Sequence, residues 1–278
     1  MQLFHDVCHE CSKQVTRRYS TSFASAIKLL HKDLRKPIYD IYGFVRLADE
    51  IVDTFHGYDK QHLLDKFEED TWAAIRMGIS LNPILHSFQD VVNKYNINEA
   101  LIVSFIYSMR LDLHKTEYNT EVEMNEYIYG SAEVVGLMCL SVFCEGDVGA
   151  FNQLKEPAKR LGAAFQKINF LRDIQADYND LSRIYFPGVD IKNFDKETKR
   201  KIEQELEIDF KEGLAGIRAL PWKARLGVYT AYRYYHKLFR KIKMMQPMTV
   251  MEKRVRVPDL QKLVIVMQAG VYNKFNLI

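Results

Sequence analysis

The sequence predicts an all-α fold, and three observations lead there. Breakers are few, with 13 glycines and 7 prolines in 278 residues. Long windows place apolar residues three and four apart, the period of a helix with one buried face. Turn-forming residues fall between those windows, at Pro83, Pro187-Gly188, Pro221, Pro247 and Pro258, where proline cannot continue a helix. Read in order, the windows give helices over 2–16, 36–55, 59–78, 83–95, 98–115, 121–145, 151–180, 195–219, 222–245 and 258–275. The stretch from Arg183 to Gly188 is the least helical and reads as a structured loop. No Ser/Gly/Pro-rich linker divides the chain and no repeat recurs, so one domain spanning 1–278 is expected.

Composition narrows the function classes. A 47% hydrophobic content is ample for a core, and the 12% of aromatic residues would also suit a ring-lined cavity. A net charge of +3 is too mild to argue for a nucleic-acid partner. The positive charge is uneven, however. Lys237, Arg240, Lys241, Lys243, Lys253, Arg254 and Arg256 crowd the C-terminal part, where they could meet a diphosphate, an anionic membrane surface or simply solvent. Cys8 and Cys11 form a lone CxxC without a second pair at zinc-finger spacing, and all four cysteines read as reduced, packed thiols. The N-terminal residues lack the apolar stretch of a secretory signal, and no apolar run approaches the ~18 residues of a membrane span. A cytoplasmic protein is expected.

Chemistry is concentrated in two polar stripes on apolar helices. At 100° per residue, with Tyr42 at roughly 0°, Arg46 falls near 40°, Asp49 near 340° and Asp53 near 20°. The rest of that helix carries Ile41, Phe44, Val45, Leu47, Ala48, Ile51, Val52 and Phe55. A helix apolar almost all round is buried, so its acidic stripe should face an internal cavity. The second helix repeats the pattern. With Gln166 at roughly 0°, Asn169 falls near 300°, Asp173 near 340° and Asp177 near 20°. Carboxylates one turn apart in a cavity repel and are costly to desolvate. Divalent cations remove that penalty, and hard oxygen ligands favour Mg²⁺ or Mn²⁺ over zinc. One such pair alone would read as a solvated or salt-bridged face. Two matching pairs point to a metal site held by Asp49, Asp53, Asp173 and Asp177.

These segments resemble the squalene/phytoene synthase family. Tyr19-Ser-Thr-Ser-Phe23 is similar to its N-terminal signature, and Ile41 to Asp53 to its first aspartate-rich motif. Asn169 to Asp177, followed by Arg183-Ile-Tyr-Phe-Pro187, resembles the second, and Tyr127 to Gly136 the central Tyr/Gly motif. The ordered set spans Tyr19 to about Val257. The sequence departs from the pattern at Glu133, where a small residue is expected, and at Ala176, where an acid is common.

The resemblance implies an isoprenoid-synthase helical bundle around a central cavity and head-to-head joining of two prenyl diphosphates through a cyclopropylcarbinyl diphosphate. Within the family, the Asp-Glu-Ile-Val-Asp form of the first motif points to two geranylgeranyl diphosphates and phytoene, a step of carotenoid biosynthesis. Dehydrosqualene or squalene synthesis from farnesyl diphosphate is the alternative, and a non-catalytic assembly factor a more distant one. The implied roles are these. The four aspartates hold Mg²⁺ with Asn169 as a neutral ligand, and no NADPH is needed. Arg46, Arg172 and Arg254 contact diphosphate oxygens. Ser20, Ser22, Tyr42, Gln166 and Tyr235 are further diphosphate candidates, with helix capping the alternative for the two serines. Tyr129 lines the cation's path or packs in the core. Peripheral membrane contact is expected because the product is so insoluble.

Overall fold

Side-chain caps set several of the helix starts. The computed structural model describes residues 1–181, 183–189, 194–252 and 254–274. In these, thirteen α-helices follow one another: α1 (Gln2–Tyr19), α2 (Thr21–Ile27), α3 (Lys32–Asp53), α4 (Lys60–Met77), α5 (Pro83–Tyr95), α6 (Glu99–Leu111), α7 (Glu121–Ile128), α8 (Val134–Phe143), α9 (Val148–Leu181), α10 (Lys196–Ala219), α11 (Trp222–Met244), α12 (Pro247–Glu252) and α13 (Asp259–Lys274). Asp59, Asn82, Asn98, Thr120 and Asp195 each accept a hydrogen bond from a backbone N–H in the first turn of α4, α5, α6, α7 and α10. Left-handed residues close two of these helices, Gly78 (φ 69°) after α4 and Asn96 (φ 49°) after α5.

The expected elements are present, with four differences. Two short helices, α2 and α12, lie where no helix is expected, because six or seven residues show too few turns for a period to register. The helix expected from 36 begins at Lys32 and carries Pro37 inside it, at the cost of one early backbone bond. The helix expected over 121–145 is broken into α7 and α8 by a π-helical turn, Tyr129–Glu133. There Gly130 sits so close to α6 that a Cβ would lie 2.6 Å from the Ser104 carbonyl oxygen, so a side chain is excluded. Finally, Glu121–Phe143 as a whole is long and apolar enough to cross a membrane by composition, contrary to expectation. Half of its apolar window is nonetheless buried inside the fold, as in a core helix. Lys253 and residue 275 lie outside the described residues.

The buried residues form one core cluster that runs through α3, α5, α6, α8, α9, α10 and α11. Phe44, Phe88 and Phe105, all fully buried, meet where α3, α5 and α6 converge, Phe44 stacking on Phe88 and tilted against Phe105. α9 packs along both α8 and α10. The approach of α10 is close because Gly216 faces Pro157, where a Cβ would stand 2.3 Å from the proline Cβ. α3 and α9, which carry the two polar stripes, thus become opposite walls of a central cavity.

The segment after α9 is fixed by a short parallel bridge between Glu117 and Ile184. Ile184 N–H donates to the Thr116 carbonyl (2.8 Å) and Tyr118 N–H to the Ile184 carbonyl (3.2 Å). The bridge pins the preceding residue, Arg183, above the end of the cavity.

Candidate active site

The cavity has a volume of about 600 Å³. Its deeper walls are apolar, among them Ile41, Val135, Leu140, Phe143, Leu161 and Ile217. Its polar end gathers both stripes in full: Tyr42, Arg46, Asp49 and Asp53 from α3, and Gln166, Asn169, Asp173 and Asp177 from α9. Ser20, Arg172, Tyr235 and Arg254 line it too.

Each carboxylate has a different electrostatic setting. Asp49 has Arg46 Nη1 at 3.7 Å, while the second nitrogen of that guanidinium pairs with Glu50 and its plane lies 4.4 Å over the Tyr19 ring. Burial, and then the neighbouring Asp53, push Asp49 up to about 7. Asp53 accepts a hydrogen bond from Arg183 Nη1 at 3.1 Å. Asp173 is bracketed by two guanidiniums, accepting from Arg172 Nε (3.0 Å) and lying 2.8 Å from Arg254 Nε. Asp177 accepts no side-chain hydrogen bond among the described residues, and burial with the nearby Asp173 lifts it to about 7.

Neutral groups complete the rim. Tyr235 Oη donates to Asn169 Oδ1 (3.3 Å), whose amide nitrogen donates to Gln166 Oε1 (3.3 Å). The Phe165 and Tyr235 rings stack with centroids 4.0 Å apart. Ser20 accepts from Phe23 N–H (3.2 Å) as the N-cap of α2 and also lines the cavity. Burial raises the Tyr42 phenol to about 12, which keeps it neutral.

Two expected site residues fall elsewhere. Ser22 is not among the cavity-lining residues; α2 turns it away, next to the capping Ser20. Tyr129 is absent from the lining as well, and Lys159 Nζ lies 5.8 Å from its ring centroid. Residues two apart on a helix point about 200° away from each other, so only one of Tyr127 and Tyr129 can face inward. That one is Tyr127, followed one turn on by Ser131 and then Val135. Glu133 also points away, 3.7 Å from Lys159, and does not intrude on the cavity.

The structure adds a group that the stripes did not reveal. Asp112, at the C-terminal end of α6, lines the cavity and accepts a hydrogen bond from Tyr127 Oη (2.9 Å). Arg183, only 6% exposed, joins it to the α3 wall. Arg183 Nη2 donates to the Asp112 carbonyl (2.6 Å), and Nη1 lies 3.5 Å from Asp112 Oδ1, which makes no hydrogen bond. Burial raises Asp112 to about 7. The Tyr185 ring stacks on Phe170 at 4.0 Å beneath this cluster.

The donor set suits a hard divalent cation. It is all oxygen, and two of its carboxylates, Asp49 and Asp177, are desolvated without a hydrogen-bonded cation of their own. No group of three or more His, Cys, Asp or Glu side chains converges to hold an ion unaided among the described residues. An ion bound to one or two carboxylates and completed by substrate phosphates and water, the habit of Mg²⁺, fits that arrangement.

Residues 16–261 match the squalene/phytoene synthase family. The chain is 28% identical to a phytoene synthase from Arthrospira platensis, over 92% of this chain and 90% of that protein. It is 27% identical to a 15-cis-phytoene synthase from Enterobacter agglomerans (80% and 82%) and 26% identical to a 4,4'-diapophytoene synthase from Staphylococcus haemolyticus (72% and 68%). In fold it is similar to a dehydrosqualene synthase solved with a ligand, at a TM-score of 0.82 and 21% identity over 97% of this chain and 98% of that one. A squalene synthase from Alicyclobacillus acidocaldarius follows at 0.76 and 22%, over 86% and 94%. The chain belongs to the squalene/phytoene synthase family, prenyltransferases of isoprenoid synthesis that join prenyl units head to head and generally use divalent metals.

Proposed function

Taking that membership as premise, we propose that the protein condenses two geranylgeranyl diphosphates to phytoene with Mg²⁺ and without NADPH. The observation that carries the reading is the pair of facing Asp-x-x-x-Asp walls at the polar end of a largely apolar cavity. The chain-length assignment is supported by the Asp-Glu-Ile-Val-Asp form of the first motif and by the names of two relatives.

Asp49, Asp53, Asp173, Asp177 and Asn169 would hold the ions. When bound, Mg²⁺ supplies charge neutralisation that lets a diphosphate leave as an anion. Arg46, Arg172 and Arg254 would donate to diphosphate oxygens, the last two by turning from Asp173. The hydroxyls of Tyr42 and Tyr235 stay protonated and can donate as well. Deeper in, the apolar walls exclude water, which would otherwise capture the allylic cation. The Tyr127, Phe165 and Phe170 rings line the cavity, and their π-electrons would stabilise that cation. The first condensation gives a cyclopropylcarbinyl diphosphate, and a second ionisation with proton loss closes the sequence.

The test is incubation of the protein with geranylgeranyl or farnesyl diphosphate and Mg²⁺, without NADPH, followed by lipid extraction. A forty-carbon triene is expected. A thirty-carbon product would move the assignment to the shorter substrate, and turnover of neither would overturn the synthase reading.

A further inference from the structure

A helix on the surface of a protein in water should be apolar inside and polar outside. α13 is not. It buries Ile265 and Ala269 against the body of the protein, yet Leu260, Leu263, Val264, Met267 and Val271 on its other side are 74%, 57%, 44%, 64% and 54% exposed. With Ile265 at roughly 0°, these five fall between about 160° and 260°, one unbroken stripe some 16 Å long. An exposed apolar face of this kind marks a contact surface.

The charge around it says what the contact is. From Trp222 onward the chain has twelve Lys and Arg against two acids, Glu252 and Asp259, a balance of +10; the preceding residues sum to −7. α11, which packs beside α13, has no acidic residue. Its Arg233 donates to Gln268 of α13 (2.8 Å) and lies 5.4 Å from the Tyr272 ring centroid. Lys237 and Arg240, both exposed, continue along the same face of α11, so a row of cations runs beside the apolar stripe. Lys241 Nζ holds the carbonyl of Arg256 in the segment that leads into α13 (2.8 Å), bringing a further cation to the same side.

We propose that α13 docks this protein on an anionic lipid bilayer, its apolar stripe entering the interface and the α11 cations meeting the headgroups. Charge complementarity selects lipid over a second copy of the chain, since two copies would bring two strongly basic surfaces together. The position serves the cavity. Tyr235, Ala231 and Val228 of α11 line it, while Lys262 of α13 donates to Thr21 beside the cavity residue Ser20 (3.0 Å). The docking rests on the exposed stripe and the charge, and stands whichever reaction the cavity performs.

The experiment is sedimentation of the full chain with vesicles of phosphatidylcholine alone or mixed with phosphatidylglycerol. Binding to the mixed vesicles only, weakened as salt is raised, is expected. Leu263→Glu with Met267→Glu should abolish it with helix content and turnover in detergent unchanged. Lys237→Gln with Arg240→Gln should lower the partition coefficient on the order of tenfold and leave the apolar stripe intact. Three results would overturn the proposal: no binding to anionic vesicles, binding indifferent to both double variants, or a dimer in solution that Leu263→Glu with Met267→Glu dissociates.

Discussion

On α3 the second aspartate, Asp53, is held by Arg183, and the first, Asp49, has only a guanidinium 3.7 Å away. On α9 the order is inverted: Asp173 is bracketed by Arg172 and Arg254, and Asp177 stands without a guanidinium of its own. Each wall thus offers one carboxylate already neutralised and one that is desolvated and pushed up to about 7. Two kinds of ligand follow from that difference. A metal ion gains most at the uncompensated carboxylates, where it removes a repulsion. An anion gains most near Asp173, where arginines can exchange one acid for a stronger one.

The comparison breaks most visibly through substitution of three of the acids. Asp49→Asn and Asp177→Asn should each lower turnover roughly a thousandfold, about 4 kcal/mol in the barrier. At pH 8 they should also raise the melting temperature of the metal-free protein, because a half-buried charge that repels a neighbouring carboxylate and has no hydrogen-bonded cation is gone. Asp53→Asn should lower turnover similarly but destabilise the protein, since it deprives Arg183 of a partner. If thermal unfolding placed all three on the same side of wild type, the division into held and unheld carboxylates would be wrong.

Arg183 is the next lever. It is buried and bonded to Asp53 and to the Asp112 carbonyl, so Arg183→Met leaves two acids without their cation. A loss of about 3 kcal/mol in urea unfolding at pH 8 is expected. The loss should shrink at pH 5.5, where Asp112 is protonated.

A smaller effect should appear in the pH dependence of the metal-free protein. Asp49, Asp112 and Asp177 are all raised from 3.8 to about 7, so the folded state retains protons that the unfolded state has released. Stability is then highest below about pH 4, falls as pH rises toward 7, and is level above that. Because Asp49 is partly exposed, about 1–2 kcal/mol is a reasonable size for the drop. Mg²⁺ should restore more of the melting temperature at pH 8 than at pH 6; equal gains at both would contradict the raised acids.

Much of this site was legible because it lies on continuous helices. The wheel that grouped Tyr42, Arg46, Asp49 and Asp53 needs only 3.6 residues per turn, and α3 obeys it. The same holds for Gln166 to Asp177 on α9. What lay off those helices was hidden. Asp112 caps the end of α6, where no stripe continues, and it becomes a cavity residue only because Arg183 is carried to it by the Glu117–Ile184 bridge. That contact spans 71 residues of sequence and leaves no local period. The salt-bridged reading of an aspartate pair, set aside for two matching pairs, also describes half of each wall. The exposed stripe of α13 was hidden for a different reason. A period of 3.6 shows that a helix has apolar residues, and cannot tell which of two apolar faces is covered.

The smallest effect tests the placement of the central helix. Tyr127 and Tyr129 stand in the same motif, and sequence favoured Tyr129. In the structure Tyr127 Oη donates to Asp112, its ring is buried among Tyr118, Phe170 and Tyr185, and it lines the cavity, while Tyr129 lies on the other side of the helix. Tyr127→Phe keeps the ring and removes one hydrogen bond to a buried acid, which should cost about 1 kcal/mol of stability. It should also lift Asp112 further, because the phenol is one of the groups that lowers it. The acid limb of the pH–rate profile should then move to higher pH if Asp112 ionisation counts in turnover. Tyr129→Phe loses a hydroxyl that makes no bond to the cavity and should leave both the rate and that limb where they were. A shifted profile for Tyr129→Phe with none for Tyr127→Phe would mean that α7 is rotated about its axis, and that the motif faces the cavity as the sequence first suggested.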